Sequence, residues 1–175
     1  PAYLHRLAAR ACAQATWPYP GPVHINQPFR EPLLPTLDVP FGNPLSKIRI
    51  HPPTQAPSPE AIMELSEAIS GRPGLIVCGQ LENSPEFASA VTQLADKLSC
   101  PILAEPLSNL RYGKHSQAQI CQRYNRWLTD PAFIPEHRPA WVLRFGAYPV
   151  TRHLQALLAA IDGPHALVDP WPRWS

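Results

Sequence analysis

The chain has 175 residues, 45% apolar and 16% charged, with a formal net charge of +2, a globular composition long enough for one domain with a sizeable core. Its lysines and arginines are scattered instead of gathered into the stripe that neutralising phosphates requires, so nucleic acid is not an expected partner. No apolar run approaches the roughly 18 residues needed to cross a bilayer, so no membrane span is expected either.

The chain starts at Pro1 and has its one methionine at Met63; both ends read as cut from a longer protein. Residues 2–16 form an alanine-rich helical pattern with Leu4, Leu7, Ala8, Ala11 and Ala15 on one face, ended by Trp17-Pro18. Val23-His24-Ile25-Asn26 reads as a short strand. Many of the 24 prolines crowd residues 18–59, which predicts an ordered surface connector with one extended piece at Lys47–Ile50.

From Ser58 the pattern is regular. Ser58 and Pro59 are a helix start, and Ile62, Leu65 and Ile69 repeat at helical spacing until Gly71. Gly74-Leu75-Ile76-Val77-Cys78 is a continuous apolar run, as in a strand buried on both faces of a parallel sheet. Ser84-Pro85-Glu86 opens a second helix with Phe87, Val91, Leu94 and Leu98 on one side. The strand Ile102-Leu103-Ala104 follows. A third helix is predicted over residues 116–128, with Ile120, Tyr124, Trp127 and Leu128 inward. The strand Trp141-Val142-Leu143-Arg144-Phe145 precedes a fourth helix burying Leu154, Leu157, Leu158 and Ile161, and Ala166-Leu167-Val168 is the last strand. This alternation predicts a Rossmann-like α/β fold: a doubly wound, mostly parallel sheet of five or six strands with helices on both faces.

Such a sheet invites a nucleotide, but the loop Cys78-Gly79-Gln80-Leu81-Glu82-Asn83-Ser84 lacks both GxGxxG and GxxxxGK[ST], whose glycines let the backbone approach phosphate. Ser84 is read as a helix cap before an anion site. The seven histidines never stand at metal-ligand spacing, and no nucleophile elbow is present. Cys12, Cys78, Cys100 and Cys121 show no CxxC pattern and are expected to be reduced core thiols. Glu31, Glu82, Glu105 and Asp169 lie at strand ends or in loops and are expected to be solvated carboxylates. No catalytic, cofactor-binding or metal-binding residue is therefore assigned. The arginines carry more information. Arg144 places a charge inside an apolar strand, where it needs a carboxylate or a ligand as partner. Arg111 closes the loop after the strand at Ile102, at the edge where open α/β sheets bind ligands, with Lys114 one short turn on. Arg111 either meets an anion there or ties its own loop to a backbone carbonyl or to Glu105.

Gly21-Pro22-Val23-His24-Ile25-Asn26-Gln27-Pro28 resembles the segment that closes the pyrimidine-binding domain of thiamine-diphosphate enzymes. Its extension Phe29-Arg30-Glu31-Pro32-Leu33, the stretch from Pro101 through Glu105-Pro106-Leu107-Ser108-Asn109-Leu110 to Arg111, Trp127-Leu128-Thr129-Asp130, and Arg144-Phe145-Gly146-Ala147-Tyr148-Pro149-Val150-Thr151 together resemble the 2-succinyl-5-enolpyruvyl-6-hydroxy-3-cyclohexene-1-carboxylate synthases of menaquinone and phylloquinone biosynthesis. The resemblance implies that residues 1–35 close a pyrimidine-binding domain, 36–57 connect, and 58–175 form the central domain. It implies a cytoplasmic, homodimeric or homotetrameric parent with two further domains, which uses thiamine diphosphate and Mg2+ to decarboxylate 2-oxoglutarate and add the succinyl unit to isochorismate. The family's activating glutamate and its GDG motif have no counterpart here, since Asp162-Gly163 lacks the preceding glycine. Cofactor and metal are thus expected outside this chain, and the fragment alone is expected to be inactive. Where the family's central domain offers a lysine to the substrate pocket, residues 130–134 read Asp-Pro-Ala-Phe-Ile, which leaves Arg111, Lys114 and, behind them, Arg144 as candidate substrate or effector contacts. The rival readings are a free-standing Rossmann-like binding module and the middle domain of another thiamine-diphosphate-dependent decarboxylase.

Overall fold

The computed structural model describes residues 2–31, 33–34, 48–81, 84–130 and 132–171, which fall into two compact units, Pro1–Gln55 and Ala56–Ser175. In the first unit the alanine-rich stretch is helix α1 (Ala2–Thr16). It half-buries Leu7, Ala11 and Ala15, while Leu4 and Ala8 of the same expected face are exposed. The Thr16 hydroxyl turns back on the carbonyls of Cys12 and Ala13 as the helix ends. The strand expected at Val23–Asn26 does not form, because a strand needs a neighbour for its ladder hydrogen bonds and none is present among the described residues. Residues 48–50 likewise form no strand, and Lys47 lies outside the described residues.

The second unit begins with helix α2 (Pro59–Ile69), whose first turn is capped by the Ser58 hydroxyl accepting from the Ala61 N–H at 3.2 Å. The buried run becomes β1 (Gly74–Cys78). Helix α3 (Pro85–Leu98) starts on the Ser84 hydroxyl, which accepts from the Phe87 N–H at 3.1 Å. Strand β2 (Ile102–Ala104) and a 3-10 turn (Pro106–Ser108) follow. Then come β3 (Ile120–Cys121), α4 (Tyr124–Leu128) and α5 (Phe133–Glu136). The chain continues through β4 (Trp141–Phe145) and α6 (Arg152–Ala159) to β5 (His165–Val168).

All five strands are parallel, in the order β3-β2-β1-β4-β5. This is the Rossmann-like, doubly wound arrangement. Strand β1 pairs on both sides, Val77 standing in register with Leu103 of β2 and Arg144 of β4. Its alternate residues feed two cores. Ile76 and Cys78 join Ile102, Leu143 and Trp141 with Ala88, Val91 and Ala95 of α3. Leu75 and Val77 join Leu103 and Val142 with Tyr124 and Leu128 of α4 and with Leu154, Leu157 and Leu158 of α6. Helices thus cover both faces. At the entry to β1 a Cβ on Gly74 would fall 1.8 Å from the Trp141 ring, so only glycine lets that buried indole cross the strand and donate its N–H to the Arg72 carbonyl at 2.9 Å.

The helix expected over residues 116–128 is corrected. Ile120 and Cys121 pair with Ile102 and Leu103 as an edge strand, because a ladder there satisfies the backbone groups on the side of the buried β2 that would otherwise be left unpaired. Only Tyr124–Leu128 is helical, and Trp127, expected inward, is exposed. The cysteines divide: Cys78 and Cys100 are buried and Cys121 half-buried, but Cys12 lies exposed on α1, and all four are free thiols. Burial pushes the Cys78 thiol up, and the Cys100 thiol up to about 11, which leaves these two protonated and inert. No helix among the described residues is long and apolar enough to cross a membrane.

Two isoleucines separate core from surface. Ile76, fully buried in β1, should cost about 2–5 kcal/mol as Ile76→Ala. Ile62, 53% exposed on α2, should cost under about 1 kcal/mol as Ile62→Ala. Urea unfolding of the two variants checks the difference; equal losses would contradict the two-faced core.

Candidate functional site

In open α/β sheets ligands lie outside the carboxyl ends of the strands, where neighbouring loops diverge. Here the divergence lies between β1 and β4, and the two loops lock together across it. Gly79 N–H donates to the Phe145 carbonyl, Ala147 N–H to Gln80 and Gly146 N–H to Val168. A Cβ on Gly79 would come within 1.9 Å of the Ala147 carbonyl oxygen, and Gly146 takes φ +75° with a Cβ position 2.5 Å from the Gln80 carbonyl oxygen. Three backbone donors that these loops could offer to a phosphate, those of Gly79, Gly146 and Ala147, are spent on protein carbonyls. Nearby, the α3 terminus carries its own anion. Glu86 is held below the usual carboxylate range by first-turn backbone hydrogen bonding and then by the Ser84 hydroxyl.

The charged side chains lie one strand over, at the end of β2. Arg111 is half-buried there and donates through Nε to the Ala104 carbonyl at 2.9 Å. Its own carbonyl accepts from Gln122 Nε2 at 2.7 Å. Its two terminal amino groups have no hydrogen-bond partner among the described residues. Both parts of the sequence expectation meet in one side chain: the guanidinium is tied to a backbone carbonyl, and the tie leaves the flat, doubly donating end that suits a carboxylate. Lys114 is exposed on the same run of bends, without a hydrogen bond or ion pair among the described residues.

Arg144 lies on the same face of the sheet as Leu103, with β1 between their strands, roughly 10 Å away at the usual strand spacing. It is 8% exposed, and its guanidinium sits over the Tyr148 ring, 4.9 Å from the centroid, a cation–π contact that offsets part of the cost of burying it. Desolvation lowers its affinity for a proton, and the neighbouring Tyr148 acts in the opposite sense. Among the described residues no group of three or more His, Cys, Asp or Glu side chains is placed to hold a metal ion.

The carboxylates depart most from expectation. Glu31 is exposed, Asp169 is half-buried and accepts from the Trp171 N–H at 2.8 Å, and Glu82 lies outside the described residues. Glu105, expected in solvent, is 3% exposed. It accepts the Tyr124 hydroxyl, the Thr151 hydroxyl at 2.7 Å and the Val150 N–H at 3.4 Å. No local signal marked it, since its donors come from 19 and 46 residues away. Thr151, standing at the N-cap of α6, gives its hydroxyl to Glu105 and caps nothing. Tyr124 was legible only as an inward helix position. Burial, then the hydrogen bond to Glu105, pushes its phenol up to about 12.

No family model matches the chain. Curated relatives do. A protein of Dechloromonas aromatica is 54% identical over 174 residues, 99% of this chain and 32% of its own length. One of Geobacillus thermodenitrificans is 40% identical over 157 residues, 87% of this chain and 27% of its length. One of Natronomonas pharaonis is 35% identical over 195 aligned positions, 98% and 33%. Each is named 2-succinyl-5-enolpyruvyl-6-hydroxy-3-cyclohexene-1-carboxylate synthase. This chain is related to that synthase family. It spans about a third of the length of the relatives it matches.

The Tyr124 phenol gives the site a pH signature. An unfolded tyrosine ionises near pH 10, so the folded state, which keeps its proton to about 12, loses relative stability as pH rises through that window. The stability difference between the native chain and Tyr124→Phe should be constant below pH 10 and shrink towards pH 12, as read by urea midpoints. A difference independent of pH would mean that the phenol is not held in these surroundings.

Proposed function

We propose that this chain is the central, substrate-orienting part of a cytoplasmic, homodimeric or homotetrameric transferase, a 2-succinyl-5-enolpyruvyl-6-hydroxy-3-cyclohexene-1-carboxylate synthase of menaquinone or phylloquinone biosynthesis. The observation that carries the reading is 54% identity along 99% of the chain to one third of a protein so named. The parent would act on 2-oxoglutarate and isochorismate. Thiamine diphosphate and Mg2+ would supply its decarboxylation chemistry and would be held by the other domains, because the residues described here do not suit them: the loop N–H groups at Gly79 and Gly146 are spent. The task left to this part is recognition. Both substrates carry two carboxylates, so the assembled site needs fixed cations with fork geometry. Arg111 is the side chain best suited to that task, being pinned at Nε with its terminal groups unspent, and Lys114 adds positive charge beside it. Arg144, stacked in the sheet, serves as support.

In the full-length enzyme Arg111→Ala should weaken apparent affinity for one dicarboxylate substrate about ten- to a hundredfold, equivalent to roughly 1.5–3 kcal/mol, with the thermal midpoint nearly unchanged. Wild-type kinetics for both substrates would refute the assignment. The 175-residue chain alone, titrated calorimetrically with thiamine diphosphate and Mg2+, should show no binding. Micromolar affinity would instead place cofactor contacts in this part.

A further inference from the structure

Glu105 stands one residue beyond β2, and its carboxyl group draws donors from two separate elements, Tyr124 on α4 and Val150-Thr151 at the start of α6. A buried carboxyl group is costly unless every partner is in place, so it contributes more to geometry than to stability. The backbone of the same residue shapes the loop that follows. Its carbonyl accepts the Ser108 N–H at 3.0 Å and the Ser108 hydroxyl at 2.7 Å, and the Ser108 oxygen in turn accepts the Leu110 N–H at 3.3 Å. Arg111 is then gripped from both sides of this arrangement: at Nε by Ala104, the residue before Glu105, and at its carbonyl by Gln122, two residues before Tyr124. The hydrogen bond between the Tyr124 hydroxyl and Glu105 closes the ring.

We infer that Glu105 is a positioning residue. With Tyr124 and Thr151 it clasps the end of β2 to α4 and α6, orders the loop that carries Arg111, and so fixes the direction in which the Arg111 fork faces an anionic substrate. The clasp touches no ligand itself. This role rests on the reading of Arg111 as a carboxylate contact. Leu110 anchors the loop in the core, while Leu107 and Tyr112 on either side of it are 56% and 84% exposed, so away from that one anchor the hydrogen bonds beneath the loop set its shape.

Four variants of the full-length protein test it: Tyr124→Phe, Glu105→Gln, Arg111→Ala and the double variant Arg111→Ala/Tyr124→Phe. Tyr124→Phe keeps the ring and removes one donor, while Glu105→Gln keeps one oxygen for the two hydroxyls that converge on Oε1 and turns an NH2 donor against the Val150 N–H. Each should raise KM for a dicarboxylate substrate about three- to tenfold, the size of one hydrogen bond, with a smaller change in kcat. In the Arg111→Ala background Tyr124→Phe should add nothing, because it acts through the side chain already removed. Additive losses, or unchanged KM in both clasp variants, would overturn the positioning role while leaving Arg111 in place. Wild-type kinetics for Arg111→Ala would bring down the substrate contact and the positioning role together. If the full-length protein shows no synthase activity, the functional reading alone falls, and amide exchange decides the clasp. Residues 106–115 should exchange faster in Tyr124→Phe while β1 and β4 are unaltered, and unchanged exchange in that loop would overturn it.

Discussion

Parallel pairing of β1 with both β2 and β4 is the constraint from which the rest follows. Once Ile76, Val77 and Cys78 are hydrogen-bonded on both sides and buried on both faces, every strand must leave the sheet at the same edge, and each return must pass over one face as a crossover. Helix α3 takes one face, and α4 and α6 take the other. All loops that follow strands gather at one edge as a consequence. Glu105, Arg111, Tyr124 and Thr151, spread over almost fifty positions of sequence, are brought together in the fold for that reason.

That edge is unevenly used. At the point where the strand order diverges, backbone donors and acceptors satisfy each other, and the polar side chains are concentrated at the end of β2. There a buried carboxylate and a half-buried guanidinium occur one short turn apart, yet each bonds to something else: Glu105 to hydroxyls and a backbone N–H, Arg111 to a backbone carbonyl. Direct pairing would have neutralised the arginine. Keeping the two apart leaves the cation available at a surface whose framework is set by the anion.

The sequence was most readable where chemistry is local. Ser58 and Ser84 cap the helices they precede because a cap needs only a hydroxyl and the next turn of chain. The run Gly74–Cys78 announced a doubly buried strand by its lack of polar alternation, and the resemblance carried by residues 101–111 and 144–151 agrees with the relatives found. What could not be read depends on partners distant in the chain. Residues 116–121 looked helical until β2 offered an edge to pair with. The ladder that Val23–Asn26 would need is absent among the described residues. Glu105 looked solvated because nothing near it in sequence says that Tyr124 and Thr151 will cover it. The dual state of Arg111, tied at one nitrogen and open at the others, is likewise a property of three-dimensional placement.

The interlock of Gly79 with Ala147, and of Gly146 with Gln80, bears on how such a sheet can change its trade. The two turns fit only as a matched set, each lacking a side chain where the other's backbone passes. Transplanting a nucleotide-gripping turn after the first strand would therefore require a redesigned turn after the fourth, two coordinated edits with no serviceable halfway stage. The loop after β2 is held from beneath, by Glu105, Ser108 and Leu110, and leaves Leu107, Tyr112 and Lys114 outward, so a change at those three positions needs no matching change in a second turn.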